Sequence, residues 1–262
     1  KMLGCARLAI LQQLEYRFNL IADTVIQPVI VGLVELTLWA AFFHSTGNQT
    51  LNGFGREYYL SYAVWAAFVS RISTSWVYES MMIEDIENGT VNSILVRPIS
   101  FYEYYLGQFF GYKVFTTLLS LSAPVAVCLF ANLPLVISRL PLTLGLVFFY
   151  LLLVHTMSVA IASLGFFFSR IHHITVAKNI TLWMLTGELF PLDLAPEPFR
   201  SILIALPFSS AVYRPVGYLT GRLELNTITE GFLSISLGLL VATVIATALW
   251  NAGRRRYSGT GA

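Results

Sequence analysis

The sequence predicts an all-α integral membrane protein with six transmembrane helices, an N-terminal surface helix, a short cytoplasmic helix between two spans, and an external re-entrant helical hairpin before the last span. Hydrophobic residues make up 56% of the 262 residues, and the mean hydropathy is +0.69. Soluble domains are only about 45 to 50% apolar. Charged residues account for 11% of the chain, and they cluster between long apolar segments. These observations place most of the chain in lipid.

Residues 1–19 form the first predicted element, an amphipathic surface helix. Leu3, Ile10 and Leu14 lie on one side of this helix, and Gln12 lies on the other. Such a helix can rest on the face of a membrane. A helix that binds a soluble partner is the alternative.

Six apolar stretches are assigned as transmembrane spans, because a helix of about 20 apolar residues crosses a bilayer. Residues 20–186 hold the first five, and residues 227–262 hold the last span and a basic tail. The spans are Leu20–Phe43, Tyr58–Tyr78, Gly107–Ala131, Leu142–Phe168, Ile174–Glu188 and Thr227–Trp250.

Residues 79–103, ESMMIEDIENGTVNSILVRPISFYE, form a charged stretch between the second and third spans. Each charge in lipid would cost several kcal/mol, so the whole stretch is predicted to emerge into water. After Glu79, its charged side chains are those of Glu84, Asp85, Glu87, Arg97 and Glu103.

The charged stretch has the residue pattern of two short helices. Met81–Glu87 contains no helix breaker, and Asn88-Gly89 is predicted to end that helix. Thr90 is predicted to cap a second helical run, and Arg97-Pro98 to impose an extended step before the next span. The result would be a stiff knob that can transmit force. An ordinary solvated loop is the alternative.

Residues 187–226 are predicted to form the external re-entrant hairpin. Prolines cut this segment so often that no uninterrupted stretch of spanning length remains. They are Pro191, Pro196, Pro198, Pro207 and Pro215. Two short helices that dip into the outer leaflet fit better, with Pro207-Phe208 near the bend.

Ionisable side chains within spans usually face the bundle interior and pair. Counting about 1.5 Å per residue from the cytoplasmic ends places Glu35 within reach of the Arg71 side chain. This predicts a structural ion pair, with a role along a substrate path as the alternative. Lys113 is a third intramembrane charge. His155 is predicted to make a hydrogen bond between helices, with a functional role as the alternative.

The absence of several motifs excludes function classes. Without a G-x-x-x-x-G-K-[ST] phosphate loop, the chain is not expected to bind and split ATP by that mechanism. It has no HExxH, CxxC or GxSxG motif, which argues against a membrane enzyme or a metal site. The net charge of +2 is too small to indicate nucleic-acid binding. We therefore expect a non-enzymatic chain with no cofactor of its own.

Both termini are predicted to be cytoplasmic, because Lys and Arg near span ends collect on the inner side. The nine basic residues placed inside are Lys1, Arg7, Arg17, Arg97, Arg170, Lys178, Arg254, Arg255 and Arg256. The five placed outside are Arg56, Arg139, Arg200, Arg214 and Arg222. The charged stretch is then cytoplasmic, and the hairpin is external.

Three sequence segments together resemble the permease subunits of ABC-2 type bacterial exporters. They are EDIENGTVNSILVRPIS after the second span, and GELFPLDLAPEPF and ALPFSSAVYRPVGYLTG before the last one. The chain is most similar to the branch with a second, non-identical permease and a separate ATPase. The resemblance covers residues 1–262 as a single transmembrane domain.

This resemblance implies a dimer of six-helix permeases in the lipid of the bacterial plasma (inner) membrane, with two ATPase subunits that bind ATP and Mg. It implies that the charged stretch contains a coupling helix that docks into the ATPase. The coupling residues would be Glu84, Asp85, Glu87, Asn88, Gly89, Thr90, Arg97 and Pro98. The hairpin would shape an outer gate that includes Glu188, Pro191, Pro207, Phe208 and Pro215.

We therefore expect the transmembrane permease subunit of an ATP-binding cassette exporter, in which a separate nucleotide-binding subunit hydrolyses ATP. An ion- or proton-coupled secondary transporter that uses Glu35, Arg71 and His155 is the leading alternative, and a membrane scaffold without transport is the third. Some ABC-2 relatives carry lipid-linked polysaccharides and others carry drugs or peptides, so the resemblance names no substrate.

Overall fold

The computed structural model describes residues 1–15, 17–47, 49–168 and 171–257. Tyr16 of the predicted surface helix and Arg170 of the orientation count lie outside the described residues, as does the side chain of Arg17. The α-helices are α1 (Met2–Glu15), α2 (Arg17–Ile21), α3 (Gln27–Thr46), α4 (Arg56–Ser73), α5 (Trp76–Glu87), α6 (Asn92–Leu95), α7 (Phe101–Ser120), α8 (Ser122–Phe130), α9 (Leu140–Ala162), α10 (His172–Thr186), α11 (Phe199–Ala205), α12 (Tyr213–Leu219) and α13 (Leu225–Arg256).

Short non-α elements also occur in the described part of the chain, among them a π-helical turn and a pair of strands. A π-helical turn, Ala22–Ile26, joins α2 to α3. Between α3 and α4 the chain forms an antiparallel pair of two-residue strands, β1 (Thr50–Leu51) and β2 (Phe54–Gly55).

Four helical segments are long and apolar enough to cross a membrane, and they match the first, third, fourth and sixth predicted spans. They are Phe18–Thr46, Phe101–Phe130, Ile137–Phe166 and Leu225–Arg256. Phe199–Ala205 and Pro207–Leu219 form a pair bent by 62°, which would add a fifth if it were one span. The all-α membrane class is therefore confirmed for the described part of the chain.

The second predicted span is a core helix, α4. Of its 18 residues, 14 are buried, and Tyr59 and Trp65 are fully enclosed. The helix packs against α3, α9 and α12. It ends at Ser73, and Thr74-Ser75 separates it from α5, so the predicted continuous span to Tyr78 is wrong.

The fifth predicted span corresponds to α10, which has only 15 residues. A helix of that size is about 22 Å long, which is less than the hydrocarbon core of about 30 Å. It ends because Gly187 takes the left-handed conformation (φ 84°), which glycine adopts without a Cβ clash.

The N-terminal helix α1 packs along α7, and two glycines permit this contact. A Cβ at Gly107 would lie 2.7 Å from the carbonyl oxygen of Met2, and one at Gly111 would lie 2.5 Å from that of Ala6. The backbones therefore approach closely only because these positions are glycine.

Ring contacts and hydrogen bonds show which elements lie at the same end of the molecule. At one end, the Trp250 ring stacks on Phe101 with centroids 4.6 Å apart, and the Tyr257 hydroxyl donates to the Gly89 carbonyl oxygen at 3.3 Å. The C-terminal part of α13 therefore lies beside the charged stretch. At the other end, Arg139 before α9 donates to the carbonyl oxygen of Tyr218 at 2.8 Å.

Candidate functional site

The charged stretch is stiffened by an apolar core beneath it. Met82, Ile83 and Ile86 lie on the buried face of α5, and Val91, which precedes α6, and Ile94 of α6 join them. This cluster also includes residues of α7 and α9. The knob is therefore part of the packed domain and cannot move independently of these helices.

The turn between α5 and α6 forms where the sequence predicts it. The helix α5 ends at Glu87, Asn88 follows as its C-cap, and Gly89 has φ 76°. A β-branched or bulky residue resists positive φ, so glycine suits this position. The Val91 N–H then donates to the Asp85 carbonyl oxygen at 2.8 Å, which closes the turn.

The predicted capping role of Thr90 is wrong, because α6 begins after Val91 without a side-chain cap. The Thr90 hydroxyl instead donates to the Asp85 carboxylate at 2.6 Å. The same carboxylate accepts a hydrogen bond from the Tyr105 hydroxyl of α7. Asp85 therefore holds the turn against α7 and does not project freely into solvent.

Glu84 and Glu87 are the exposed carboxylates of α5. Glu87 also accepts the Ile171 N–H at 3.1 Å, which links the charged stretch to the start of α10. Beyond the turn, the Val96 side chain is 84% exposed, and Arg97 and Pro98 are exposed as well. The surface thus combines two negative charges with an apolar tip.

The third span begins at a capping box whose S-x-x-E motif, Ser100 to Glu103, is present in the sequence but was not used to place the start of the span. The Ser100 hydroxyl accepts the Glu103 N–H at 3.2 Å, and the Glu103 carboxylate accepts the Ser100 N–H at 3.1 Å. These bonds satisfy N–H groups at the helix start. The third span therefore starts at Phe101 rather than Gly107.

Glu79 does not emerge into water as predicted, because its side chain is completely buried. It pairs with Lys178 of α10, and it accepts a hydrogen bond from Ser158 of α9 at 2.5 Å. Ser158 also lies 2.9 Å from the Ser75 hydroxyl oxygen. Lys178 is thus a structural partner of the charged stretch and not a free charge at a span end.

Arg71 pairs with Asp23, so the predicted pair of Arg71 and Glu35 is wrong. Its guanidinium forms an ion pair with the Asp23 carboxylate, and its Nε donates to the Asp23 carbonyl oxygen at 3.0 Å. The Tyr112 hydroxyl donates to the same carboxylate at 2.8 Å. Asp23 lies in the π-helical turn, whose register a regular helical count does not predict.

Lys113 of α7 also belongs to the polar cluster around Arg71 and Asp23. Its ammonium group donates to the Arg71 carbonyl oxygen at 2.9 Å, near the end of α4, where a cation complements the helix dipole. It also lies 5.7 Å from the ring centroid of Tyr112. Arg71, Lys113 and Asp23 therefore tie α4, α7 and the first span together.

Glu35 lies near Glu188 instead of Arg71. The two carboxylates are close enough to repel each other electrostatically. Both side chains are half-buried. The structure thus places one predicted intramembrane residue beside one predicted gate residue.

His155 makes the predicted hydrogen bond between helices. Its Nε2 lies 3.1 Å from the Tyr102 carbonyl oxygen of α7, which can only accept. The Tyr102 hydroxyl lies 3.0 Å from Thr156 Oγ1. His155 therefore joins α9 to α7.

The segment between α10 and α13 bends at the predicted place. Leu206 separates α11 from a 3-10 turn, Pro207–Ser210, and a Cβ at Gly238 of α13 would lie 3.0 Å from Pro207. Pro215 is buried within α12. Gly238 is in the middle part of α13, so the bend reaches well into the helical bundle.

Arg214 anchors this segment, although the sequence analysis counted it only as an outer charge. It is 3% exposed. It donates to Ser209 Oγ at 3.0 Å, to the carbonyl oxygens of Thr227 and Ile204 at 2.7 and 2.8 Å, and to the Glu230 carboxylate at 3.0 Å. No local sequence motif indicates these contacts, because the partners of Arg214 are spread along the chain from Ile204 to Glu230.

The fold and these contacts define a class of protein. It is an α-helical integral membrane protein with a buried core helix, α4, and a charged stretch that is packed against the helices at one end. Residues 29–261 match the profile of the ABC-2 family transporter protein. The chain belongs to this family of membrane transporters. No curated protein sequence is a match to the chain.

Proposed function

We propose that the chain is the transmembrane permease subunit of an ATP-driven exporter, and that a separate nucleotide-binding subunit docks on the charged stretch. The observation that carries this proposal is the apolar core beneath Glu84 and Glu87. A solvated loop needs no such core. A surface that transmits force must be rigidly joined to the helices it moves.

The contacts of the charged stretch support this role. Glu79 reaches α9 and α10 through Ser158 and Lys178, and Asp85 reaches α7 through Tyr105. A displacement of the knob would therefore act on three membrane helices. The helix α10 leads directly to the bent segment, which is the proposed outer gate.

The proposed topology places the charged stretch and both termini in the cytoplasm of a bacterial cell, with the segment from residue 187 to 226 re-entering from outside. The contact of Tyr257 with Gly89 supports a common side for the C-terminus and the charged stretch. The exposed apolar face of α3 supports assembly with a second permease, identical or homologous. Its members include Ile30, Leu33, Val34 and Leu38.

A secondary transporter is less well supported, because Arg71 and His155, two of the residues it would use, are held by structural contacts. The test is purification of the chain from its native membrane. We expect a nucleotide-binding subunit to co-purify, and we expect no ATP hydrolysis by the chain alone. ATP turnover by the isolated chain, or complexes that never contain such a subunit, would refute the proposal.

A further inference from the structure

A groove runs between α1 and the start of α7, beside the end of the charged stretch. Its volume is about 390 Å³, which is within the range of about 300 to 1,000 Å³ that is typical of ligand pockets. Its lining residues include Lys1, Leu8, Gln12, Arg97, Tyr104 and Gln108.

The groove is positively charged. Lys1 and Arg97 are exposed, and neither forms a salt bridge within the described residues, while Arg97 lies 5.7 Å from the Tyr104 ring centroid. The nearby carboxylate of Glu103 interacts electrostatically with Lys1. That carboxylate is held by the N–H and hydroxyl groups of Ser100 and offsets one of the two positive charges, so the groove keeps a net positive charge.

The walls of the groove add neutral donors and an apolar surface. The side-chain amides of Gln12 and Gln108 form no hydrogen bond within the described residues, and both line the groove. On α1, Leu8, which lines the groove, is 67% exposed, and Leu11, one turn further along the helix, is 53% exposed. Cations, amide donors and exposed leucines are thus adjacent on one surface.

We propose that this groove binds the phosphate headgroup of an anionic phospholipid, with its acyl chains along the leucines of α1. The positive charge of the groove favours an anionic headgroup, because basic groups at a membrane surface attract anionic lipid. A free phosphate ion would satisfy Lys1 and Arg97 but would leave the leucines of α1 exposed. The site lies where the charged stretch meets α7, at the polar end of the third span.

The test measures lipid binding to the full chain in detergent by native mass spectrometry. Phosphatidylglycerol is titrated against phosphatidylcholine. Each basic residue near such a headgroup should contribute about fivefold in affinity, so the double variant Lys1→Gln/Arg97→Gln should lose most of the preference for phosphatidylglycerol. Arg97→Lys, which keeps the charge, should retain it.

The matched control is Arg200→Gln/Arg254→Gln, which removes two exposed charges outside the groove and should leave the preference unchanged. Because all four side chains are exposed and Arg200 forms only an exposed pair with Glu197, both double variants should unfold within about 4 °C of the unmutated chain. Equal binding of the two lipids, an unchanged preference in the first double variant, or an equal loss in the control would overturn the proposal. Displacement of the lipid by inorganic phosphate at the same concentration as phosphatidylglycerol would show a phosphate site instead, and would also overturn it.

Discussion

Asp193 and Arg222 form an ion pair that joins the beginning of the segment between α10 and α13 to its end. The two side chains are 15% and 5% exposed. The Arg222 guanidinium also lies 3.9 Å from the ring centroid of Phe54 and 4.6 Å from that of Tyr58. The segment therefore enters and leaves the bundle at the same end, with Pro207 at its deep bend.

Removal of this ion pair should destabilise the protein. Arg222→Gln leaves the Asp193 carboxylate largely buried without its partner, and the loss of one member of a buried pair typically costs about 3 to 5 kcal/mol. We expect a value near the lower limit, since Asp193 is partly exposed. The free energy of unfolding is measured by denaturant titration in mixed micelles.

Arg200→Gln is the matched control for Arg222→Gln. Arg200 pairs with Glu197, but both side chains are about half exposed, and such pairs contribute only about 0.2 to 1 kcal/mol. Equal small losses in the two variants would show that the contact between Asp193 and Arg222 does not stabilise the segment.

The re-entrant topology predicts the labelling pattern of introduced cysteines. Glu197 and Glu224 are exposed residues near the two ends of the segment, so cysteine at either position should react with an impermeant thiol reagent from outside the cell. Cysteine at Ser93 in the charged stretch should react only from inside. Cys5 and Cys128 are first replaced by serine. If Glu197→Cys and Glu224→Cys are labelled from opposite sides, the segment is a complete span.

Asp23 and Arg71 should be energetically coupled, whereas Glu35 and Arg71 should not. The variants are Asp23→Asn, Glu35→Gln and Arg71→Gln, each alone and in the two pairs. Contacting charges show interaction energies of about 0.5 to 3 kcal/mol, and independent sites add within about 0.5 kcal/mol. Two double-mutant cycles in the same protein measure the coupling energy of Arg71 with Asp23 and that of Arg71 with Glu35. Coupling of Arg71 to Glu35 instead of Asp23 would contradict the contacts described above.

The contact of α1 with α7 should not tolerate a side chain at Gly111. A Cβ at this position would lie 2.5 Å from the Ala6 carbonyl oxygen, so Gly111→Ala should loosen α1 and increase the rate at which Cys5 is alkylated. Gly145→Ala is the control, because no atom lies within 4 Å of a Cβ there and alanine favours the helix. A Cys5 alkylation rate that is the same in both variants would contradict the predicted packing of α1.

Long apolar runs and turn residues made much of this fold predictable. The runs that became α3, α9 and α13 are longer than a bilayer requires, so their position hardly depends on tertiary contacts. The turn at Asn88-Gly89 and the bend at Pro207 were also predictable. In both cases the residue itself restricts the backbone.

The partners of the buried charges were not predictable. Arg71 pairs with Asp23 because α4 ends at Ser73 instead of Tyr78, which places Arg71 in the last turn of its helix, beside the start of the first span. Glu79 belongs to a charged run in the sequence, but its partner Lys178 lies in another helix. Such pairs depend on how each helix is oriented about its axis relative to its neighbours. The hydropathy of the sequence does not determine that orientation.

The most direct test of the proposed coupling role is reversal of the exposed charges in the double variant Glu84→Lys/Glu87→Lys. Asp85 is left unchanged because it holds the turn. Truncation of a charge at a desolvated contact typically costs about 2 to 5 kcal/mol, so the variant should bind the ATPase subunit more than tenfold more weakly. Membrane insertion should persist, because added positive charge favours the cytoplasmic side.

The control Glu197→Gln/Glu224→Gln removes two exposed charges at the opposite end of the molecule without adding positive charge on the outer side. The measurement is pull-down of the ATPase subunit together with substrate-stimulated ATP hydrolysis in reconstituted vesicles. We predict that both are lost in Glu84→Lys/Glu87→Lys and retained in the control. Association and hydrolysis at the unmutated level in both variants would show that the charged stretch is a solvated loop, and would contradict its coupling role.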